Sequence, residues 1–287
     1  MIAEKDDFLH QLADSTYALV FPEYDDLGNE GIIVTDEGAV VIDTDVRTVD
    51  RIFAALPQIT DKPIRYVINT HHAFDHSSAN CFFADRGATI IGSESCREAM
   101  ISHGEHNFKR WSDRLPYIQK ILEEKKPRIV PPTITFNSEL TLHLGGTIIE
   151  LFHYGHAHSP GDAFIYLPKE QILFGGDLLW GGFFPNVREA NVVNQLRVID
   201  RILEFPAKYY VPGHGVITSD RNDIVNTRNF LGSLYEMIAT MIREGKSIGD
   251  VRAAGEPLAA VHPEWRGRNF LSTAIDVIYA SLAPRKA

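Results

Sequence analysis

At 287 residues, with 44% hydrophobic and 23% charged side chains, the chain has the make-up of a soluble globular protein that buries a core. Its formal net charge is −10, and an acidic surface repels phosphate backbones and anionic membranes. The densest basic run, Lys125-Lys126-Pro127-Arg128, is short, and no stretch approaches the roughly 20 apolar residues of a membrane span. The expected partner is therefore a small-molecule substrate, with no nucleic acid and no membrane, and with the oligomeric state open.

In chain order, short β-strands come first, over 17–21, 31–35 and 39–43, rich in Val and Ile and punctuated by Gly28-Asn29 and Asp36-Glu37-Gly38. Residues 48–56 have helical apolar spacing, 64–68 form a strand, 79–86 a helix, 88–91 a strand, and 93–102 a helix capped by Ser93. The stretch 106–125 is polar, dotted with aromatics and helical, and reads as an excursion from the core. Strands follow over 133–136, 139–144 and 147–152, the last two joined by a Gly145-Gly146 hairpin turn. Two more strands cover 163–167 and 172–174, then come a helix over 192–203 and a strand over 209–211. The tail is helical over 224–243, 247–253 and 269–282. Strands and helices in two successive halves fit two packed sheets with helices outside, and also other α/β arrangements.

Cys81 and Cys96 make neither a disulfide framework nor a CxxC motif, which points to reduced thiols in a cytoplasmic protein. The first seven residues carry three acids and no apolar leader-like run.

The twelve histidines are clustered: His71, His72 and His76 lie together, as do His153, His156 and His158. His71, Asp75 and His76 follow the strand at 64–68; His158 follows 147–152 through Gly155. Asp177 follows 172–174 through Gly175-Gly176, and His214 follows 209–211 through Pro212-Gly213. Each time a strand ends in glycine or a tight turn with a ligand-type side chain beyond it, the way loops on a rigid sheet converge on one site. Imidazole and carboxylate suit Zn²⁺, with Fe or Mn as other candidates. Any one pair, such as His156 and His158, fits a solvated loop; four strand-end pieces in series do not.

Thr70-His71-His72-Ala73-Phe74-Asp75-His76 resembles the T-H-x-H-x-D-H signature of the metallo-β-lactamase superfamily. Gly155-His156-Ala157-His158-Ser159-Pro160-Gly161-Asp162 resembles its G-x-A-H-T-x-G-D segment. Phe174-Gly175-Gly176-Asp177 looks like its bridging aspartate, Val211-Pro212-Gly213-His214-Gly215 like its final histidine, and Val41-Ile42-Asp43-Thr44 like its early supporting aspartate. The match runs in order from about residue 15 to 220 and is most similar to the quinoprotein-relay or cyclase-like metallohydrolases, a label that leaves the substrate open.

The resemblance implies an α/β fold, the αβ/βα four-layer sandwich, as one domain over 1–287 with its core at about 15–220 and a helical extension at about 221–287. It implies a first metal on His71, His158 and a histidine at 73, a second on Asp75, His76 and His214, and Asp177 between them. It further implies a hydrolase in which a metal-bound hydroxide attacks an ester, lactone, thioester, amide or β-lactam. Asp75 would also take or relay a proton.

Position 73 departs from the signature, because the methyl group of Ala73 cannot bind a metal. Three readings are open: a natural change that weakens the first site, an engineered knockout, or a stand-in by His72 or His156. The last ranks lowest, since His72 is adjacent and points the other way. Tyr154, Trp180, Phe183 and Phe184 are candidates for an apolar substrate wall, with core packing as the rival reading. Other classes compatible with the same fold are an iron-dependent oxidoreductase and a degenerate, non-catalytic metal binder.

Overall fold

The computed structural model describes residues 8–283 apart from 22, 23 and 25. The leader-free reading of residues 1–7 lies outside the described residues.

The chain opens with β1 (Leu9–Ala13), β2 (Thr16–Leu19), β3 (Glu30–Thr35) and β4 (Gly38–Ile42), each antiparallel to the next. Helix α1 (Val49–Ile59) returns the chain to β5 (Ile64–Ile68), which lies parallel to β4. The short helices α2 (Phe74–Ser77) and α3 (Asn80–Ala84) lead to β6 (Thr89–Ser93). Helix α4 (Glu94–Arg114) starts where the Ser93 side chain accepts from the Cys96 N–H, and α5 (Pro116–Lys125) follows. Strand β7 (Ile134–Phe136) completes a sheet ordered β1-β2-β3-β4-β5-β6-β7.

The second sheet runs β12-β11-β10-β9-β8. Its strands are β8 (Glu139–Leu144), β9 (Thr147–Phe152), β10 (Phe164–Leu167), β11 (Ile172–Gly181) and β12 (Tyr209–Gly215), and α6 (Val192–Ile202) carries the chain from β11 to its parallel neighbour β12. The β8–β9 turn is Gly145-Gly146, both at positive φ. Helices α7 (Arg221–Arg243), α8 (Ile248–Ala259) and α9 (Arg268–Leu282) end the described chain.

Alternation decides which side chains meet. Ile33, Val40, Ile42, Ile68 and Ile91 of the first sheet pack on Leu144, Ile149, Leu151, Ile165 and Val211 of the second. Their sequence neighbours Ile32, Val41, Val67 and Ile90 face outward beneath α1 and α3, while Phe164, Tyr166 and Leu173 lie beneath α6 and α7. Both faces of the central strands are thus buried, which is why these segments read as near-continuous apolar runs. The result is helix, sheet, sheet, helix, the four-layer sandwich. No helix among the described residues is long and apolar enough to cross a membrane.

Three features differ from the sequence reading. Strands β11 and β12 extend through Asp177 and His214, so these two side chains sit inside irregular strand ends rather than beyond them. The stretch at 106–125 is no excursion: Trp111 and Ile118 are buried on Phe74 and Val46, closing one side of the site. The terminal helices form a core of their own with Trp180, Phe183 and Phe184, through Phe230, Leu234, Phe270 and Ile275.

Candidate metal centre

Parallel pairing of β4, β5 and β6 gives these strands a common carboxyl end, and the centre is built there and on the facing ends of β11 and β12. Asp43, directly after β4, holds a left-handed backbone with φ 57°, an uncommon state for a non-glycine residue and one that clusters at functional sites. That turn aims its carboxylate at three donors: the Thr70 N–H and hydroxyl, each at 2.7 Å, and Nδ1 of His76 at 2.8 Å. With Nδ1–H donating to Asp43, Nε2 of His76 faces the interior of the site. His158 is oriented likewise, Nδ1 lying 2.8 Å from the Asn186 carbonyl.

The six ligand-type side chains are brought together around Asp177. Its Oδ2 lies 3.3 Å from His158 Nε2 and 3.9 Å from His71 Nε2; its Oδ1 lies 3.3 Å from His76 Nε2 and 3.5 Å from His214 Nε2. Oδ2 of Asp75 lies 3.3 Å from His214 Nε2 and 3.9 Å from His76 Nε2. Each Asp177 oxygen therefore faces a different histidine pair. Glycines make the approach possible. A Cβ at Gly213 would overlap Oδ1 of Asp177, and Gly176, at φ 50°, would set one 2.6 Å from Thr70 Cβ.

Among the described residues, two groups offer donor atoms within 4.8 Å of one another: Asp75, His76 and His214, and His71, His76 and Asp177. The second differs from the set implied by the resemblance, since His76 is close to both and His158 joins only through Asp177. Buried polar atoms without a hydrogen-bond partner include His71 Nε2 and Asp177 Oδ1, both aimed inward. Such orphaned atoms are costly unless something binds them.

The charges say the same. Burial alone would push the Asp177 carboxyl up, but His214, His76 and His158 more than offset it and hold the group well below the usual range. Asp75 behaves alike, held down by His76 and His214. Burial opposes a proton on His76, yet Asp177, Asp43 and Asp75 raise it well above its ordinary value, while burial and the neighbouring His76 keep His71 low and neutral. Three buried carboxylates thus surround imidazoles that must carry protons to balance them. Nitrogen and oxygen donors facing inward, with excess negative charge, fit divalent cations of the zinc type, and loading them releases those protons.

Ala73 lies at the N-cap of α2 and lines the same cavity of about 140 Å³ as His71, His158 and Asp177. Neither proposed stand-in belongs to the two donor groups, although His72 lines the cavity. Nε2 of His72 points to Glu189 at 3.5 Å, and Nε2 of the exposed His156 lies 2.6 Å from the Glu189 carbonyl. His153 is buried, with Nδ1 2.7 Å from the Asp162 carbonyl.

Of the four aromatic candidates, Trp180 alone lines the cavity, stacked on His214 with ring centroids 4.9 Å apart and planes 11° apart. Phe183 and Phe184 are fully buried away from it: the Arg266 guanidinium covers Phe183 at 5.3 Å, and Phe184 packs on Phe230 and Trp265. Tyr154 also lies elsewhere, between Phe164 and Arg201. Helices α7–α9 fill the space that Phe183 and Phe184 face, and Tyr154 packs beside α6, so these three rings line no part of this cavity. Sequence reasoning missed the opposite wall, Asn107, Arg110 and Arg114 of α4 with Asn186 and Arg188. Asn107, Arg110 and Arg114 at spacings of three and four share one helix face, the available signal.

A two-sheet sandwich with inward-facing histidines and aspartates at one end of both sheets defines an α/β protein equipped to hold metal ions. The sequence profile of the metallo-beta-lactamase superfamily matches residues 24–214, more than half of the chain, and the chain belongs to that family. It is similar to a linear primary-alkylsulfatase of a Pseudomonas strain, at 21% identity over 75% of this chain and 47% of that protein. It is also similar to the type 2 metallo-beta-lactamase of Bacteroides fragilis, at 32% over 34% of this chain and 41% of that one. The chain spans less than half the length of these curated relatives. A solved metallo-beta-lactamase from Pontibacter korlensis superposes with a TM-score of 0.64 at 21% identity, over 78% of this chain and 98% of that one.

One expectation follows directly. Asp43→Asn removes the acceptor that orients His76 and should weaken metal binding about 10–100-fold, the usual effect of losing such a support. Competition with a chromophoric chelator measures it. Unchanged affinity would reduce Asp43 to a fold residue.

Proposed function

We propose that this protein is a metal-dependent hydrolase of small molecules with carbonyl-type scissile bonds: esters, lactones, thioesters, amides or β-lactams. The observation that carries the reading is the Asp177 carboxylate, whose two oxygens face two separate histidine pairs. His71, His158 and Asp177 Oδ2 would hold one ion, and Asp75, His76, His214 and Asp177 Oδ1 the other. Zinc is the first candidate, with Fe or Mn compatible with the same donors. Such ions, when bound, polarise the carbonyl oxygen of the substrate and activate water.

The chain's own residues do the rest. Asp43 and the Asn186 carbonyl fix the faces that His76 and His158 present. Asp75 lines the cavity and would relay a proton from water toward the leaving group; His76 and His214 hold its carboxyl low, which weakens it as a base and speeds release of the proton. Trp180 fixes the His214 ring and excludes water from that side.

The cavity fits a small molecule, and the free, buried Cys81 and Cys96 support a cytoplasmic setting. Ala73 favours unequal sites. The position flanked by Asp75, His76 and His214 keeps its protein donors, and the other is short of one. The relative named an alkylsulfatase adds sulfate esters to the substrates worth assaying.

The test is metal analysis of protein purified without added metal, beside hydrolysis of lactones, thioesters, aryl esters, β-lactams and sulfate esters. Turnover that a chelator abolishes and added zinc restores supports the reading. Iron as purified, with no hydrolysis at full loading, would favour redox chemistry.

A further inference from the structure

One wall of the cavity gathers three arginines, although carboxylates line the rest of it. The chain is acidic, with a formal net charge of −10. Yet Arg110 and Arg114 of α4 and Arg188, after β11, line the cavity whose floor is His71, Asp177 and His214. The same three arginines, with Trp111, wall a second recess of about 240 Å³.

The acids nearby have closer partners, although Glu189 and Asp75 also act on the arginines through space. Asp26 pairs with the buried Arg47 at 2.9 Å, Asp113 with Lys109 at 2.7 Å, and Glu189 faces His72 at 3.5 Å. Among the described residues no carboxylate makes an ion pair with Arg110, Arg114 or Arg188. Like charges four residues apart on a helix disfavour it. Burial first, then Arg110 and Arg114, hold the Arg188 guanidinium below its ordinary pKa, against the opposite pull of Glu189 and Asp75. Three guanidiniums gathered on one cavity wall, Arg114 also lying over the Trp111 ring, present forks of the kind that bind oxyanions in bidentate fashion. The side-chain amides of Asn107 and Asn269, also in the wall, supply further donors.

We propose that Arg110, Arg114 and Arg188 form an anion subsite that selects substrates carrying a carboxylate, sulfate or phosphate group remote from the scissile bond. The subsite rests on the hydrolase reading for the word substrate, but not for binding. An oxyanion seated on the arginines places the other end of a short molecule over the Asp177 cluster. The same field draws anions toward an otherwise repelling protein and weakens with salt.

The experiment has two parts on the full chain as purified with its metal. Calorimetry compares 4-phenylbutyrate with the neutral 4-phenylbutyramide, and 3-phenylpropyl sulfate and phosphate rank the oxyanions. Kinetics compares a monoaryl glutarate, with one free carboxylate, against the neutral aryl butyrate. The anionic member of each pair should be favoured by about tenfold or more, the scale of one charge-assisted hydrogen-bond pair. Arg110→Gln with Arg114→Gln should reduce that preference to within about twofold, and so should Arg188→Gln, which lies off α4 and guards against helix damage. Thermal unfolding checks that the variants fold. Equal affinity for phenylbutyrate and its amide would overturn the subsite. So would a preference that survives in both variants, because the anion would then sit on the metal. Arginine-dependent binding with no ester turned over would leave the subsite standing and overturn the hydrolase reading.

Discussion

Asp177→Asn is expected to empty both metal positions and lower kcat/KM by about 10³-fold or more, the largest loss of any single change in the centre. Its carboxylate lies within 3.9 Å of four imidazoles through two different oxygens. Asparagine keeps the shape but replaces one oxygen by an NH₂ that cannot ligate and that meets imidazoles poised to donate. Losing the charge that polarises the carbonyl oxygen costs several kcal/mol of transition-state stabilisation, and each 1.4 kcal/mol is tenfold in rate. Metal content by mass spectrometry and steady-state kinetics, run on one preparation, check both halves. An Asp177→Asn protein that retains two ions and ordinary turnover would remove Asp177 from the centre. Asparagine opens no cavity but takes the counter-charge from His214, His76 and His158, so some loss of stability is expected and thermal unfolding accompanies the kinetics.

The contrast between what the sequence made legible and what it hid has a physical basis. His71, Asp75, His76, His158, Asp177 and His214 stand in local words, each tied to the strand that delivers it, so short-range pattern was enough to place them in one site. Gly176 and Gly213 stand beside them because a side chain at either would collide with Thr70 or Asp177, and that constraint also shows in the sequence. The cavity's outer wall left no such trace. Arg188 meets Arg110 and Arg114 only through the tertiary fold, and separately each reads as a solvated charge. Phe183 and Phe184 were ambiguous for the same reason: whether a ring near the site faces substrate or helices depends on where α7–α9 dock. Strand β1 escaped detection because it alternates poorly, with His10 and Gln11 both exposed, and α2 because four residues carry no period.

Restoring a ligand should do what removing one undoes: Ala73→His is expected to raise hydrolytic kcat/KM by about 10²-fold and to fill the position beside His71 and His158. The geometry leaves room for it. Ala73 lies in the cavity wall with those two residues, and its backbone at φ −63° and ψ 154° is unstrained extended chain that histidine adopts freely. As the chain stands, His71, His158 and one oxygen of Asp177 are the protein donors facing that position, while Asp75, His76, His214 and the other oxygen face its neighbour. A further imidazole brings the two into balance. A second cation at the centre would be worth about 3 kcal/mol in transition-state terms, or two decades of rate. The comparison is kcat/KM for both forms against the same panel, with metal content determined in parallel and anomalous scattering locating each ion. Two fully occupied positions in the Ala73 protein, with equal rates in both forms, would show that residue 73 stands outside the centre and that the chain works without it. Rates near background in both forms at full loading would instead point to metal binding without hydrolysis, since the one missing donor would no longer explain the silence.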